Sequence, residues 1–533
     1  MKPRSGWTTA DSVLVVVLLL LCLLSAAKYG FSLHPTEDAA MLMRYSQHLA
    51  SGHGIVWNIG DKPVDGATDF LFMVLLAGLA KAGLALELAS YLTGLFSHIL
   101  TVLIVYLAVR WVHFASQWAA FIAAGYLAVG PGMGHAAVEF GTPFFALSVC
   151  VTWLLATMLT QGRDSIAAYL LFAGSALIMG LIRPEGVFLA MFMLLALMYM
   201  KGLRGSGRLI LVFAGTFAIA GGIYFLWRWQ YFGYPLPNPY YKKGGGHLYP
   251  SSLAIAVRHL IYLSLPFLAI FLTGFRNSRT TRHTIFALIP ILGFIGMWIA
   301  LSNEMNYMMR FQYPILSVVL ISWPPILKGI LDDWRIPRLA SFDRRNKAVI
   351  LSYAIIAAVF LVNKQQKSCV PGHRPQGLHD IAMILEPYKS KGYTLAVTEA
   401  GLIPFYSGWK AIDIWGLNDQ WIAHNNGVTE SYLDKHKPQV IEFHAFFSPV
   451  SPVDPQTYPY KGWYEMISTV RAYAEKRGYI LAGCFGKNPQ DTFFYYVRPD
   501  FPDSGEIVAK IRGMRYGEEN FASFTNYAIP AKQ

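Results

Sequence analysis

The sequence predicts a polytopic α-helical membrane protein with a soluble α/β domain in its C-terminal part, and three observations predict it. Of 533 residues, 54% are hydrophobic and only 14% charged, against about 25% charged in an ordinary soluble domain. Apolar runs of membrane-crossing length, about 20 residues, recur through the first two thirds of the chain. Beyond residue 363 the runs shorten, and Pro, Asp and Asn become frequent.

The net charge of +13 does not point to nucleic acid, because most basic residues before position 350 cluster between apolar runs, as in the cytoplasmic loops of a membrane protein. The sequence has no C-x-x-C pair, zinc-finger spacing or basic repeat, which excludes nucleic acid as a partner. Membrane lipids are the expected surroundings.

The first element follows from Lys2 and Arg4, which precede an apolar run from Ser12 to Phe31. That run exceeds a signal core and no A-x-A-like site follows it, so it reads as a retained helix with a cytoplasmic N-terminus. Further spans are predicted at 89–110, 117–135, 138–160, 166–182, 185–200, 208–231, 253–274, 284–302, 311–330 and 348–363, the first being 12–32.

One apolar stretch, Phe70 to Leu88, is broken by Lys81 and Gly83, and parity decides it. If it crosses, Arg276, Arg279, Arg282, Arg335, Arg338, Arg344, Arg345 and Lys347 lie outside. If it lies along the outer surface, they join Arg110, Arg163, Lys201, Arg204 and Arg208 inside. The positive-inside bias selects the second arrangement, about 11 transmembrane helices with outer juxtamembrane helices. The outer side then holds 33–88, the turn from His135 to Thr142, the loop 232–252 and the loop from Ser302 to Arg310.

The expected division is a transmembrane module over 1–363, with 33–88 as its first outer loop, and an exported domain over 364–533. That tail of about 170 residues is of ordinary domain size. YTLAVTE (393–399) and PQVIEFH (438–444) read as strands, and 464–477 has helical spacing. Cys22 and Cys150 fall in apolar spans as packing residues, whereas Cys369 and Cys484 form the expected disulfide of an exported domain.

Chemistry is sought on the outer side. Glu37 and Asp38 open a helix-favouring stretch that Gly52 and Gly54 stop, which puts both acids near the positive end of its dipole. Helix capping is the plain role for such a pair; proton abstraction by one of them is the functional role. Arg183-Pro184-Glu185-Gly186 sets two charges between apolar runs, as a structural pair or a substrate contact. YFGYPLPNPYYKKGGGH (231–247) joins Tyr240, Tyr241, Lys242 and Lys243 to three glycines, and cations beside open backbone N–H groups suit a phosphate. Arg310 can hold a phosphate bidentately, or snorkel at the interface. Glu139 is a capping residue or a partner for the base or the acceptor. Asn418, Asp419 and His424 form a polar–aromatic cluster in the tail, and His53, between the two stop glycines, completes the substrate-facing candidates. No Ser-His-Asp, Cys-His or metal-ligand spacing is present. A carboxylate pair can hold a divalent cation, but no spacing demands one.

In order along the chain, EDAAMLMRYSQHLASGHGIVWNIGDKPVDGATDFLF, LIRPEG, YFGYPLPNPYYKKGG, MRFQYPIL and AGLIPFYSGWKAIDIWGLNDQWIAHN resemble signatures of bacterial GT-C fold glycosyltransferases that use polyprenyl-phosphate sugars. The closest resemblance is to the arabinofuranosyltransferase group, comprising mycobacterial terminal β-arabinofuranosyltransferases and the transferases acting on type IV pilin. It covers most of residues 30–430. It implies the GT-C fold, a surface-lying helix after the first loop, a polyprenyl-phosphate sugar donor, a glycan or pilin-like protein acceptor, and residence in the bacterial cytoplasmic membrane. It also implies an acidic base in the first outer loop, which maps onto Glu37 or Asp38. The family pattern is Asp-Asp or Asp-Glu, so Glu37 in first position leaves the choice open, with Asp38 preferred. Arg310, Lys242, Lys243 and Arg183 become candidates for the donor phosphate, and Tyr240, Tyr241, Glu185, Glu139, His53, Asn418, Asp419 and His424 for the substrates. The competing readings are a flippase for a lipid-linked sugar and an oligosaccharide ligase or polymerase. Transporters show repeated halves and helices broken near the midplane; no internal repeat is legible here.

Overall fold

The chain enters its first helix, α1 (Thr9–Tyr29), through a capping box in which Thr8 and Asp11 satisfy each other's backbone N–H at 3.2 and 3.0 Å. In this computed structural model, residues 6–30, 34–243, 245–276, 278–333, 376–449, 451, 453, 461–488 and 490–514 are described. Asp11 is fully buried and also takes Arg110 Nε at 2.9 Å and the Tyr106 hydroxyl at 2.8 Å, which ties α1 to the helix α4.

The helices that follow are α2 (Glu37–Ala50), α3 (Phe70–Lys81), α4 (Leu86–Leu107, prolonged by a π turn, Ala108–Val112), α5 (Gln117–Ala128), α6 (Gly132–Ala137), α7 (Thr142–Leu159), α8 (Ile166–Ile182) and α9 (Glu185–Lys201). After them come α10 (Leu203–Thr216), which a π turn joins to α11 (Gly222–Phe232), then α12 (Asn238–Lys242), α13 (Pro250–Thr273), α14 (Ser278–Gly296) and α15 (Leu316–Asp333). Helices therefore stand at every predicted span from 12–32 to 311–330; the last, 348–363, lies outside the described residues. Among the described residues, six segments are long and apolar enough to cross a membrane: Thr9–Tyr29, Leu86–Val112, Thr142–Leu159, Leu203–Phe232, Ser278–Ile299 and Tyr307–Ile330. That is fewer than the expected 11, because helices such as α5 and α9, at 12 and 17 residues, fall short of that length.

At 12 residues, α3 is about 18 Å long, well short of a hydrocarbon core of about 30 Å. Its buried residues, including Phe72, Met73 and Leu76, belong with Met43 of α2 to one hydrophobic cluster that extends to Leu395, Ile403 and Trp409 of the C-terminal domain. The stretch 70–88 thus covers one end of the bundle. At the other end, a second cavity of about 120 Å³ is lined by His113, Gln161, Met200 and His283, near the Lys201–Asp164 ion pair at 2.6 Å.

The C-terminal domain comprises α16 (Gln376–Leu385), β1 (Thr394–Val397), α17 (Leu402–Ser407), β2 (Lys410–Asp413), α18 (Gln420–His424), α19 (Glu430–His436), β3 (Val440–Ala445), α20 (Lys461–Lys476), β4 (Ile480–Asn488), β5 (Asp491–Val497) and α21 (Ser504–Gly513). The sheet order is β2-β1-β3-β5-β4; β1 pairs parallel to β2 and β3, and β5 antiparallel to β3 and β4. One sheet face packs on α20 through Phe443, Phe494 and Ile467. The other shares its core with α2 and α3, so the domain is fused to the first long loop. Burial of this apolar surface, at about 25 cal/mol per Å², welds the two parts. Cys484 lies in β4, 1% exposed within the sheet core. Cys369, its expected partner, lies outside the described residues.

Candidate functional site

A cavity of about 260 Å³ opens where the first loop, the ends of the long helices and the C-terminal domain meet. Each element delivers its side chain by a local device. In the first turn of α2, Asp38 faces the cavity, and its Oδ2 accepts from Arg310 Nη2 at 2.6 Å. Arg310 lies over the Phe140 ring at 4.4 Å and the Phe311 ring at 5.1 Å. Its Nε is buried and has no partner among the described residues. An unmet buried donor costs about 1–3 kcal/mol, so a ligand oxygen placed there is favoured.

Arg310 ends a loop in which Met305, Met308 and Met309 have φ of 59°, 58° and 61°. Left-handed backbone at non-glycine residues costs roughly 1–3 kcal/mol each. Polar side chains hold it: Asn306 Nδ2 donates to Asn303 Oδ1 and Gln312 Oε1, both at 2.7 Å, and Asn306 Oδ1 accepts from Phe311 N–H at 3.1 Å.

The break between α8 and α9 supplies Arg183 and Glu185. Arg183 Nε lies 2.8 Å from Glu185 Oε1 and 3.1 Å from Asp69 Oδ1. All three line the cavity. Glu139 lines it from the turn before α7, 1% exposed and with φ 65°. That turn is fixed by Ser90 and Thr36 hydroxyls donating to the carbonyls of Glu139 and Val138, at 2.9 and 3.0 Å.

The loop 232–252 brings Tyr240 and Lys243 to the cavity. Gly245 lies so close to the Tyr240 ring that any Cβ would collide with it. Asn238 anchors the short α12 by donating to the Gly416 and Leu417 carbonyls at 2.8 and 3.0 Å. Burial lowers the Lys243 pKa from its ordinary value, while Asp38 and Glu304 oppose this and Arg310 and Arg183 add to it.

The structure thus assembles Asp38, Glu139, Arg183, Glu185, Tyr240, Lys243 and Arg310 from the sequence-predicted set. The others stand elsewhere. Glu37 turns away, and its carboxyl accepts from the N–H groups of Gly401 and Leu402 at 2.7 and 3.1 Å. Lys242 sits over the Trp415 ring at 4.2 Å, and Tyr241 against the His424 ring at 4.4 Å, which also stacks on Tyr234 at 4.1 Å. Asn418 is buried between Tyr45 and Asp413, and burial, opposed by those hydrogen bonds, raises Asp413 to about 6. Asp419 caps α18 at Ile422 and accepts from the Tyr432 hydroxyl at 2.7 Å. His53 is exposed in the turn after α2. Sequence reasoning missed Asp69, Tyr249 and Leu417, which line the cavity; Asp69, the last polar residue before an apolar run, had that position as its only signal.

Three of the cavity carboxylates are matched by guanidinium groups, Asp38 by Arg310, and Asp69 and Glu185 by Arg183. Among the described residues no three His, Cys, Asp or Glu side chains group to hold a metal ion. The arrangement can remove a proton at Asp38 and receive an anion at the neighbouring cations.

Residues 368–495 match a family described as a domain of unknown function, DUF8728. No curated protein matches the sequence. Among solved structures, the chain is similar to ArnT from Cupriavidus metallidurans in the apo state (TM-score 0.54, 16% identity, 91% of this chain and 98% of that chain). It is similar to the same protein bound to undecaprenyl phosphate (TM-score 0.52, 15% identity, 91% and 97%). It is also similar to the arabinofuranosyltransferase AftD from Mycobacteria (TM-score 0.50, 15% identity, 94% of this chain and 41% of that chain). The fold is therefore the GT-C fold.

Proposed function

We propose that this GT-C chain is an integral membrane glycosyltransferase that moves a sugar, D-arabinofuranose, from a polyprenyl-phosphate donor to a hydroxyl of a glycan or a pilin-like protein. The active end faces the outer side of the bacterial cytoplasmic membrane, opposite the end that carries Lys201 and Arg282. The observation that carries the reading is Asp38 hydrogen-bonded to Arg310, whose Nε is an unmet donor, in a cavity with Lys243 and Arg183. The undecaprenyl phosphate bound to a structural neighbour supports the donor class, and the arabinofuranosyltransferase neighbour supports the sugar.

In this mechanism Asp38 takes the proton of the acceptor hydroxyl as its oxygen attacks C1. The new O–C1 bond forms in line with the breaking bond between C1 and the phosphate oxygen, so the anomeric centre inverts. The lipid phosphate leaves as an anion already matched to Arg310, Lys243 and Arg183. The polyprenyl phosphate is a good leaving group, so no general acid is required. Glu37 is not used as the base, because its carboxyl is occupied by backbone N–H groups outside the cavity.

The test is transfer from a radiolabelled polyprenyl-phosphoryl arabinofuranose by the purified protein in lipid nanodiscs. Asp38→Asn is expected to lower the rate on the order of 100- to 10,000-fold, the worth of a general base. A rate within twofold of the unmodified protein would remove Asp38 from the mechanism.

A further inference from the structure

We propose that Glu37 is a positioning residue: it fastens the first turn of α2 to the C-terminal domain and so holds the adjacent Asp38 in the cavity against Arg310. The inference rests on the reading of Asp38 as the base.

The first turn of α2 has no side-chain cap of its own. Its N-cap residue, Thr36, spends its hydroxyl on the Val138 carbonyl at 3.0 Å. Glu37, whose plain role would be to face its own helix dipole, instead accepts from Gly401 and Leu402 N–H, at the start of α17. Both first-turn side chains are thus used across elements, and Asp38 lies between the two anchors and Arg310.

The contact is built for close approach. A Cβ on Gly401 would collide with the carbonyl oxygen and the carboxyl oxygen of Glu37. Around the joint, Glu442 accepts from Thr398 and Glu399 N–H at 2.9 and 3.1 Å, and His444 lies between Glu399 and Asp491 at 3.4 and 2.6 Å. Burial, then Glu399 and Glu442, raise the Glu37 pKa well above its ordinary value, against the two N–H bonds. Glu37 Oε2 alone accepts from both Gly401 and Leu402 N–H, at 2.7 and 3.2 Å, so a glutamine carbonyl oxygen in that place should preserve the joint.

A second tie separates this role from mere domain attachment. Farther along α2, Arg44 donates to the Pro404 and Trp409 carbonyls and to Asn58. With Arg44 in place, loss of the Glu37 contact frees the first turn without releasing the domain.

The experiment uses the full chain in nanodiscs and two readouts. In transfer from polyprenyl-phosphoryl arabinofuranose, Glu37→Ala and Gly401→Ala are each expected to lower kcat on the order of 10- to 100-fold, with the donor KM within about twofold. Glu37→Gln should retain kcat within about threefold, and adding Glu37→Ala to Asp38→Asn should cost little more than Asp38→Asn alone. In hydrogen exchange, the Gly401 and Leu402 amides and the first turn of α2 should exchange faster in Glu37→Ala and at the original rate in Glu37→Gln. An unchanged kcat in Glu37→Ala, unchanged exchange there, or a Glu37→Gln protein as slow as Glu37→Ala would overturn the proposal. An active Asp38→Asn protein would instead sink the base assignment while leaving the exchange result standing.

Discussion

One residue along an α-helix is a turn of about 100°, and that angle separates the fates of Glu37 and Asp38. The sequence marks both acids as a pair beside a predicted membrane helix and prefers Asp38 only through the resemblance, because the N–H groups that claim Glu37 belong to Gly401 and Leu402, far along the chain. The same holds for Lys242 and Lys243: one lies on Trp415, the other lines the cavity. Residue type was legible at these positions, and direction was not. Arg310 tests whether direction matters at the phosphate. Arg310→Lys keeps the charge but loses the planar fork. With hydrogen bonds to charged groups worth about 1.5–3 kcal/mol, kcat/KM should fall on the order of 10- to 100-fold, mostly through the donor KM. Steady-state transfer across a range of donor concentrations checks it.

Elements were the most legible level. Charge parity expects 70–88 to lie on the surface, and α3 within it, at 12 residues, is shorter than a membrane span. Strands expected at 393–399 and 438–444 are β1 and β3. What stayed hidden is the inside of loops, where side chains from several elements decide the path. The loop that ends in Arg310 holds three left-handed methionines, which no propensity would place there; the amide of Asn306 makes their conformation the favoured one. Asn306→Ala removes four hydrogen bonds, the fourth with His259 Nδ1 at 3.3 Å, a local loss of roughly 1–3 kcal/mol. Deuterium uptake across 303–312 should then rise by about one to two orders of magnitude, and transfer should slow as Arg310 loses its place.

For the whole molecule, the C-terminal domain and the first loop share one hydrophobic core. Both halves of their joint are apolar surfaces that look like ordinary core until they are seen together in one cluster. The joint has a pH dependence with one sign. Burial lowers the His444 pKa, but Asp491 and Glu399 outweigh it and raise the value from 6.5 to about 10. Burial and Glu399 raise Glu442 from 4.5 to about 8. A folded-state pKa above the unfolded one adds stability that is complete below the unfolded value and is lost as pH climbs through the folded value. The C-terminal domain should therefore lose thermal stability from about pH 4.5, where Glu442 begins to contribute, to about pH 10, where His444 stops, and His444→Gln should flatten the upper part of that decline. Melting temperatures by intrinsic fluorescence across that range check both statements.

The cavity draws Asp38 from near the start of the chain and Leu417 from far along it. At roughly 5–20 residues per second, a ribosome needs on the order of 20–80 s between them. Throughout that interval the helices can enter the lipid, yet the acid has neither its wall nor its anchor at Gly401. On the proposed function, enzymatic competence thus arrives as a late event of biosynthesis, after insertion, and a chain interrupted before α17 is expected to occupy the membrane without transferring sugar.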